Sequence, residues 1–213
     1  MFKIALDAGH GLHTGGKRCL RSLDPNETRE WWLNNRICDE IERILATECK
    51  LGEDYDLIRL DDTTGETDVS LDSRVAKANN FKADYLLSIH HNAGAKGTSV
   101  GGPTVHIRPN RGEDSWQKMG VLWDNFIGQV NKLGFSNRMS SNVWVNRFKV
   151  ISGIKDACLF ECGFMDSRVD INYILREDYA MAAARGFANG LMQIGGLVPS
   201  NPQSSTENSE VNQ

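Results

Sequence analysis

The sequence lacks the features that mark several classes of protein. It has no apolar stretch of roughly 18 residues, so we expect no membrane span. It also has no excess of basic residues, and its net charge of −4 argues against a nucleic-acid-binding protein. No His-Glu-x-x-His motif occurs, which excludes a metalloprotease of that kind. What remains is a globular chain whose function must be sought in individual side chains.

Paired cysteines and a leader segment are absent as well. The five cysteines are odd in number and lack the tight paired spacing of a structural zinc site. Cys158 and Cys162 lie in an apolar segment, where a free cysteine is usually a small core residue. The N-terminus leads directly into an apolar run, so we expect no signal peptide and synthesis in a reducing cytoplasm.

Strand-like and helix-like segments alternate along the chain. Periodicity predicts strands at 2–8, 55–60, 84–90, 104–107, 142–145 and 157–160, and helices at 28–49, 70–78, 113–133 and 170–192, the last in one or two parts. This alternation predicts an α/β fold, a single three-layer domain with a mostly parallel mixed β-sheet of about six strands flanked by helices. We expect the domain to span residues 1–197 and the polar tail, 198–213, to be disordered.

Three of the predicted strands end in side chains that suit a reactive site. His10 follows the first strand, His90 and His91 end the strand at 84–90, and Glu161 follows the strand at 157–160. Ligands of open α/β sheets gather beyond the carboxyl ends of the strands, so these groups are predicted to meet.

Zinc hydrolases typically hold their metal with three groups drawn from histidine and carboxylate, which leaves one position for water. His10 and either His90 or His91 are natural nitrogen donors. The carboxylate would come from Glu27 or Glu30, three residues apart at the start of the helix at 28–49.

These residues also have ordinary structural interpretations. His10 alone would be a capping or core-edge histidine, and Glu30 a first-turn helix acid stabilised by the helix dipole. Glu161 fits such an interpretation least, because a carboxylate after apolar residues is costly unless it is paired or used. The cluster of Lys17, Arg18 and Arg21 is interpreted as a solvated loop face in preference to a grip on an acidic wall polymer.

Four segments, taken in order, resemble the signature blocks of zinc-dependent N-acetylmuramoyl-L-alanine amidases, the type found in bacterial autolysins and phage endolysins. The resemblance covers roughly residues 2–196. The segments are Leu6–Gly11, Arg29–Asn34, Ser88–Ala93 and Phe160–Met165.

The resemblance implies one zinc ion held by His10, Glu30 and His90, with Glu161 as the catalytic carboxylate. It selects Glu30 over Glu27, and His90 over His91. Residues that would orient a ligand or the substrate are His91 and Asn92. Cys162 departs from the family pattern, which more often has threonine or a similar small residue there, and Arg74 matches a further position that looks structural.

The implied reaction is cleavage of the amide bond between N-acetylmuramic acid and L-alanine of peptidoglycan, with Glu161 as general base and then general acid for zinc-activated water. Two alternatives stay open, a non-catalytic peptidoglycan-binding protein of the same fold and a zinc peptidase that cuts within the stem peptide. We expect a monomer without nucleic-acid or membrane partners. Made in the cytoplasm, it would reach the wall after the membrane is opened, as in phage lysis or mother-cell lysis.

Overall fold

Six strands form one sheet in the computed structural model, which describes residues 1–198. The strands are β1 (Phe2–Ala8), β2 (Tyr55–Arg59), β3 (Tyr85–Asn92), β4 (Thr104–Ile107), β5 (Val143–Val145) and β6 (Ala157–Phe164). Their order across the sheet is β2-β1-β3-β6-β4-β5. The first four in that order are parallel, and β4 and β5 run the opposite way. The predicted α/β fold with a mostly parallel mixed sheet is confirmed.

Five helices flank the sheet within residues 1–198. They are α1 (Glu30–Glu48), α2 (Leu71–Phe81), α3 (Glu113–Val130), α4 (Ile171–Ile174) and α5 (Glu177–Gly195), with a 3₁₀ turn at Asn131–Leu133. The predicted closing helix is thus in two parts. No helix in the described part of the chain has the length and apolar character needed to cross a membrane. The predicted polar tail, apart from Val198, lies outside the described residues.

The two faces of the sheet differ in how they are covered. On the helical face, α5 packs against both α1 and α3 over the larger apolar core. On the cleft face, α2 and the segment 146–156 cover a smaller core. Side chains alternate between the faces along a strand, so Leu87 and Ile89 of β3 face the helices, whereas Leu86 lies in the smaller core. The same alternation places His90 on the cleft face.

Two strands are longer than the sequence predicted. The predictions ended β3 at residue 90 and β6 at Phe160, but these strands continue to Asn92 and Phe164. They pair with each other in parallel, and this pairing brings His90 opposite Glu161. His90 and Glu161 therefore lie within the paired ends of β3 and β6 and not in the loops beyond them. The strands extend beyond their predicted ends because each pairs with a neighbouring strand, and the sequence of a single segment does not reveal such pairing.

Candidate active site

The side chains of His10, Glu30 and His90 converge at the carboxyl end of β1 and β3. One donor atom from each residue lies within 4.8 Å of the other two. Glu30 Oε1 is 3.0 Å from His90 Nδ1 and 3.4 Å from His10 Nε2. The structure therefore brings together the three residues that the resemblance selected from distant parts of the chain.

The turn after β1 is shaped for this convergence. His10 adopts a left-handed backbone conformation, with φ of 68°, which turns its side chain towards the other two residues. Gly9 lies directly beneath the His90 ring, and a Cβ atom there would be 2.0 Å from His90 Cε1. Any side chain at position 9 would therefore displace His90.

Arg74 of α2 holds the same turn from below. Its Nη1 donates to Asp7 Oδ1 at 2.6 Å and to the Ala8 carbonyl at 2.7 Å, and its Nη2 donates to the His10 carbonyl at 2.9 Å. Ser88 donates to the other oxygen of Asp7 at 2.6 Å. The buried guanidinium thus ties α2, β1 and β3 together, in keeping with the structural role expected for Arg74.

Glu30 is almost completely buried, at 1% exposure. Burial alone would raise its pKa, but hydrogen bonds from His10 and His90 hold the pKa well below its usual range. The carboxylate in turn outweighs the burial of His90 and raises the pKa of that imidazole. Glu30 Oε2 has no hydrogen-bond partner among the described residues, and its nearest cation is Lys17 Nζ at 3.7 Å.

Glu161 lies beside the three-residue group, opposite His90 in the β3–β6 ladder. Burial raises its pKa to about 7. Its Oε2 atom is buried and, within residues 1–198, lacks a hydrogen-bond partner. The carboxyl group faces a cleft of about 250 Å³. Side chains that line the cleft include His10, Lys17, His90, Phe148, Lys149 and Glu161.

His91 points to the helical face, away from the cleft. Its Nδ1 lies 2.8 Å from Asn34 Oδ1 on α1, and burial lowers its pKa to about 3. Asn34 also donates to the Gly9 carbonyl at 3.1 Å, so it connects His91 to the turn beneath His90. The sequence analysis used Asn34 only as part of the block that selects Glu30 and assigned it no role in the site. Its signal was a polar residue on the buried side of a helix, four positions after Glu30.

The remaining candidates lie outside the three-residue group. Asn92 Oδ1 accepts a hydrogen bond from the Ala93 N–H at 2.8 Å, so its side chain folds back on the loop that follows β3. Glu27 pairs with Arg18 at 3.2 Å and does not reach His10 or His90, which supports the choice of Glu30.

The interpretation of Lys17, Arg18 and Arg21 as a solvated loop face is correct only in part. Arg18 and Arg21 are exposed, as that interpretation requires. Lys17, in contrast, lines the cleft next to Glu30, because the loop doubles back and the Lys17 carbonyl accepts the Glu30 N–H at 3.0 Å.

Two imidazoles, a buried carboxylate and a separate carboxyl group beside a cleft make up the equipment of a metal-dependent hydrolase. The sequence profile of one such family, described as N-acetylmuramoyl-L-alanine amidase, matches residues 4–193. The chain belongs to this family, whose members hydrolyse the bond between N-acetylmuramic acid and L-alanine in peptidoglycan.

Individual relatives agree with this assignment. The chain is 32% identical over 195 residues to the sporulation-specific N-acetylmuramoyl-L-alanine amidase of Bacillus subtilis, covering 91% of this chain and 68% of that protein. It is 25% identical over 195 residues to the endolysin of Bacillus phage SPP1, covering 90% of this chain and 65% of that protein.

Solved structures share the fold. An N-acetylmuramoyl-L-alanine amidase from Clostridium difficile 630 superposes with a TM-score of 0.76 at 25% identity, covering 90% of this chain and 95% of that one. The catalytic domain of CwlV from Bacillus (Paenibacillus) polymyxa var. colistinus gives 0.74 at 22% identity, covering 91% and 97%. The family, fold and activity expected from the sequence are confirmed, while the roles of individual residues stay predictions.

Proposed function

We propose that this amidase holds one zinc ion with His10, Glu30 and His90, and that Glu161 moves the protons of the reaction. The observation that carries the proposal is the convergence of three donor atoms within 4.8 Å of one another, next to a carboxyl group with a pKa of about 7. Neither feature is expected of a chain that only needs to fold.

The residues fit zinc in number and kind. Two imidazole nitrogens and one carboxylate are a donor set of catalytic zinc sites, which keep a fourth position open. Glu30 Oε2 is buried without a hydrogen-bond partner in the described part of the chain, which is unfavourable unless a cation neutralises it. When bound, zinc supplies a Lewis acid that polarises the amide carbonyl and makes water acidic near neutral pH.

Glu161 is suited to take up a proton and return it. With a pKa of about 7 it is ionised in a large fraction of molecules at neutral pH, so Oε2 can accept a proton from the attacking water. The protonated carboxyl group can then donate to the amine of L-alanine as it departs. Because the pKa lies near the working pH, neither transfer is strongly unfavourable.

His91 and Asn92 are proposed to support the site without binding metal. The backbone N–H of His91 donates to Glu30 Oε1 at 3.3 Å. The His91 ring contacts Asn34, which in turn donates to the Gly9 carbonyl. We assign Asn92 a contact with the substrate because it ends β3, two residues after His90.

We propose that the chain acts as a monomer on bacterial peptidoglycan during lysis. Two relatives support this setting, since one is named for sporulation and the other is a phage endolysin. The domain boundary expected at residue 197 follows the end of α5 at Gly195.

Metal analysis tests the ligand assignment. We expect about one zinc per chain in the wild-type protein and far less in His10→Ala and His90→Ala. The matched control is His13→Ala, which alters an exposed histidine outside the three-residue group. Full zinc content in either ligand variant would contradict the assignment.

Mass spectrometry of digested cell walls tests the bond that is cut. Amidase action releases intact stem peptides that begin with L-alanine and leaves glycan strands without peptide. Stem peptides cut internally would instead indicate the zinc peptidase.

A further inference from the structure

A second cavity, of about 210 Å³, is lined by three arginines and lies apart from the cleft. Arg108 and Arg111 follow β4, Arg147 follows β5, and Pro109 and Asn110 complete the lining. We call these five residues the arginine pocket. No residue of the pocket belongs to the proposed metal group or lines the cleft.

The pocket lies near the end of the sheet where β6 begins, whereas the reactive residues lie where β3 and β6 end. β4 runs antiparallel to β6, so that Thr104 pairs with Glu161 while Ile107 pairs with Cys158, near the start of β6. The chain enters the pocket directly after Ile107. A molecule in the pocket would therefore leave the cleft free for substrate.

Backbone carbonyl groups hold two of the guanidinium groups in place. Arg108 Nη1 donates to the Ser152 carbonyl at 2.5 Å, and Arg111 Nη2 donates to the carbonyls of Ile151 and Ile154. Each guanidinium has five N–H donors, so most remain available. Arg111 Nε is buried and has no hydrogen-bond partner in the part of the chain that the structure describes.

Within residues 1–198, no carboxylate forms an ion pair with any arginine of the pocket. The acidic residues nearest along the chain have other partners. Asp114 and Asp156 both bind Lys118, at 2.8 and 2.6 Å. Glu113 accepts a hydrogen bond from Gln117 at 3.3 Å.

The arginines consequently repel one another. Burial lowers the pKa of Arg111 and the positive charge of Arg108 lowers it further, while the more weakly felt charge of Asp156 opposes the shift. Three arginines without an ion-pair partner in the described part of the chain thus surround one cavity, although the net charge of the chain is −4. An anion in the cavity would relieve this repulsion.

We propose that the arginine pocket binds a phosphate group, either as free phosphate or within a phosphodiester polymer. Arginines from two separate loops surround the cavity, which suits a tetrahedral anion with several acceptor oxygens. A planar carboxylate is satisfied by the paired N–H groups of a single arginine.

Titration with inorganic phosphate, followed by backbone amide NMR, tests the pocket in the full chain. We expect saturable shifts at residues 108, 110–112 and 147. Arg147→Gln should weaken this binding about tenfold, because it removes a charge-assisted hydrogen bond. The matched control Arg21→Gln removes an exposed arginine elsewhere and should leave the binding unchanged.

Three results would overturn the proposal. These are an absence of shifts at residues 108, 110–112 and 147, equal phosphate binding by Arg147→Gln and the wild type, and equal loss of binding in Arg21→Gln. Amidase turnover on phosphate-free wall fragments should be the same for Arg147→Gln and the wild type. Failure of the pocket is therefore distinguishable from failure of the proposed zinc site.

Competition with polymers identifies the source of the phosphate. We expect poly(glycerol phosphate) to displace inorganic phosphate if the ligand is a polymer, and to leave it bound if the ligand is the free ion. Both results support a phosphate site. Equal displacement by polyglutamate would overturn the choice of phosphate over carboxylate.

Discussion

The two faces of the sheet carry neighbouring histidines with opposite properties. On the cleft face, the carboxylate of Glu30 raises the pKa of His90, whose ring lies next to that of His10. On the helical face, burial lowers the pKa of His91 to about 3 and leaves the ring neutral. One step along β3 thus separates a side chain suited to bind metal from one suited to the core.

The faces also differ in the kind of side chain that they bury. The helical face is packed with aromatic rings, such as Phe126 and Phe187, whose centroids are 4.8 Å apart. The cleft face retains buried carboxylate oxygens on Glu161 and, at its rim, on Glu30, both without hydrogen-bond partners among residues 1–198. We infer that the helical face supplies most of the stability, and that the buried carboxylates of the cleft face lower the stability but serve the reaction.

The largest effect is expected for Glu161→Gln. This change removes the proton acceptor, so the rate of amide hydrolysis should fall about 10²- to 10⁴-fold. Stability should not fall, because a neutral amide replaces a carboxyl group that burial disfavours in its charged form. Kinetics on purified cell walls and thermal melts check the two properties. Unchanged turnover would contradict the mechanism.

Phe160→Ala should have the reverse effect. Phe160 is fully buried on the helical face, so we expect a loss of about 3 to 5 kcal/mol in the free energy of unfolding, with activity retained per folded molecule. Denaturant titration measures the loss. The matched control is Phe148→Ala on the cleft face, which is 40% exposed and should lose about 1 kcal/mol or less. Equal losses would remove the distinction between the faces.

Gly9→Ala tests the rim between the two faces. The added methyl group would push against the His90 ring, so zinc affinity should fall by about 10- to 100-fold, the range seen when the support of a ligand is disturbed. Equilibrium zinc titration measures this. Gly15→Ala is the matched control, because a Cβ atom there meets nothing within 4 Å. Equal affinities in the two variants would show that the close approach is unimportant.

The smallest effect concerns pH. The folded-state pKa of His91 is about 3, below its unfolded value near 6.5, so the unfolded chain binds the extra proton first as pH falls. His91 should therefore lower the free energy of unfolding by about 1 kcal/mol between pH 6.5 and 5.5. Denaturant titration at several pH values, on the chelator-treated wild type, His91→Gln and the control His13→Gln, measures this change in the free energy of unfolding. The contribution of His91 should be absent only in His91→Gln. An unchanged pH dependence in that variant would refute the prediction.

The sequence predicted the architecture because apolar periodicity reflects burial. The helix predicted at 28–49 is found at Glu30–Glu48, and that predicted at 113–133 ends in a 3₁₀ turn after Val130. The ends of β3 and β6 were predicted too early, because they depend on the pairing of His90 with Glu161. Such pairing joins segments that are far apart in the chain.

The site was predictable where one side chain carries the chemistry. His10, Glu30 and His90 could be chosen from residue type and motif, and the structure brings them together. The contact of Asn34 with Gly9 and the cleft position of Lys17 could not be predicted, since both depend on how a loop and a helix pack after folding. The contacts that support the site depend on tertiary packing, which the local sequence pattern does not reveal.

The three proposed ligands come from the end of β1, the first turn of α1 and the end of β3. Glu30 and His90 are 60 positions apart along the chain. A captured ion would thus cross-link remote parts of the chain, and by mass action it would stabilise the folded state more as free zinc rises. In surroundings depleted of zinc the enzyme would lose both its chemistry and much of its resistance to proteolysis. Zinc supply would then govern how long each molecule survives as well as how fast it works.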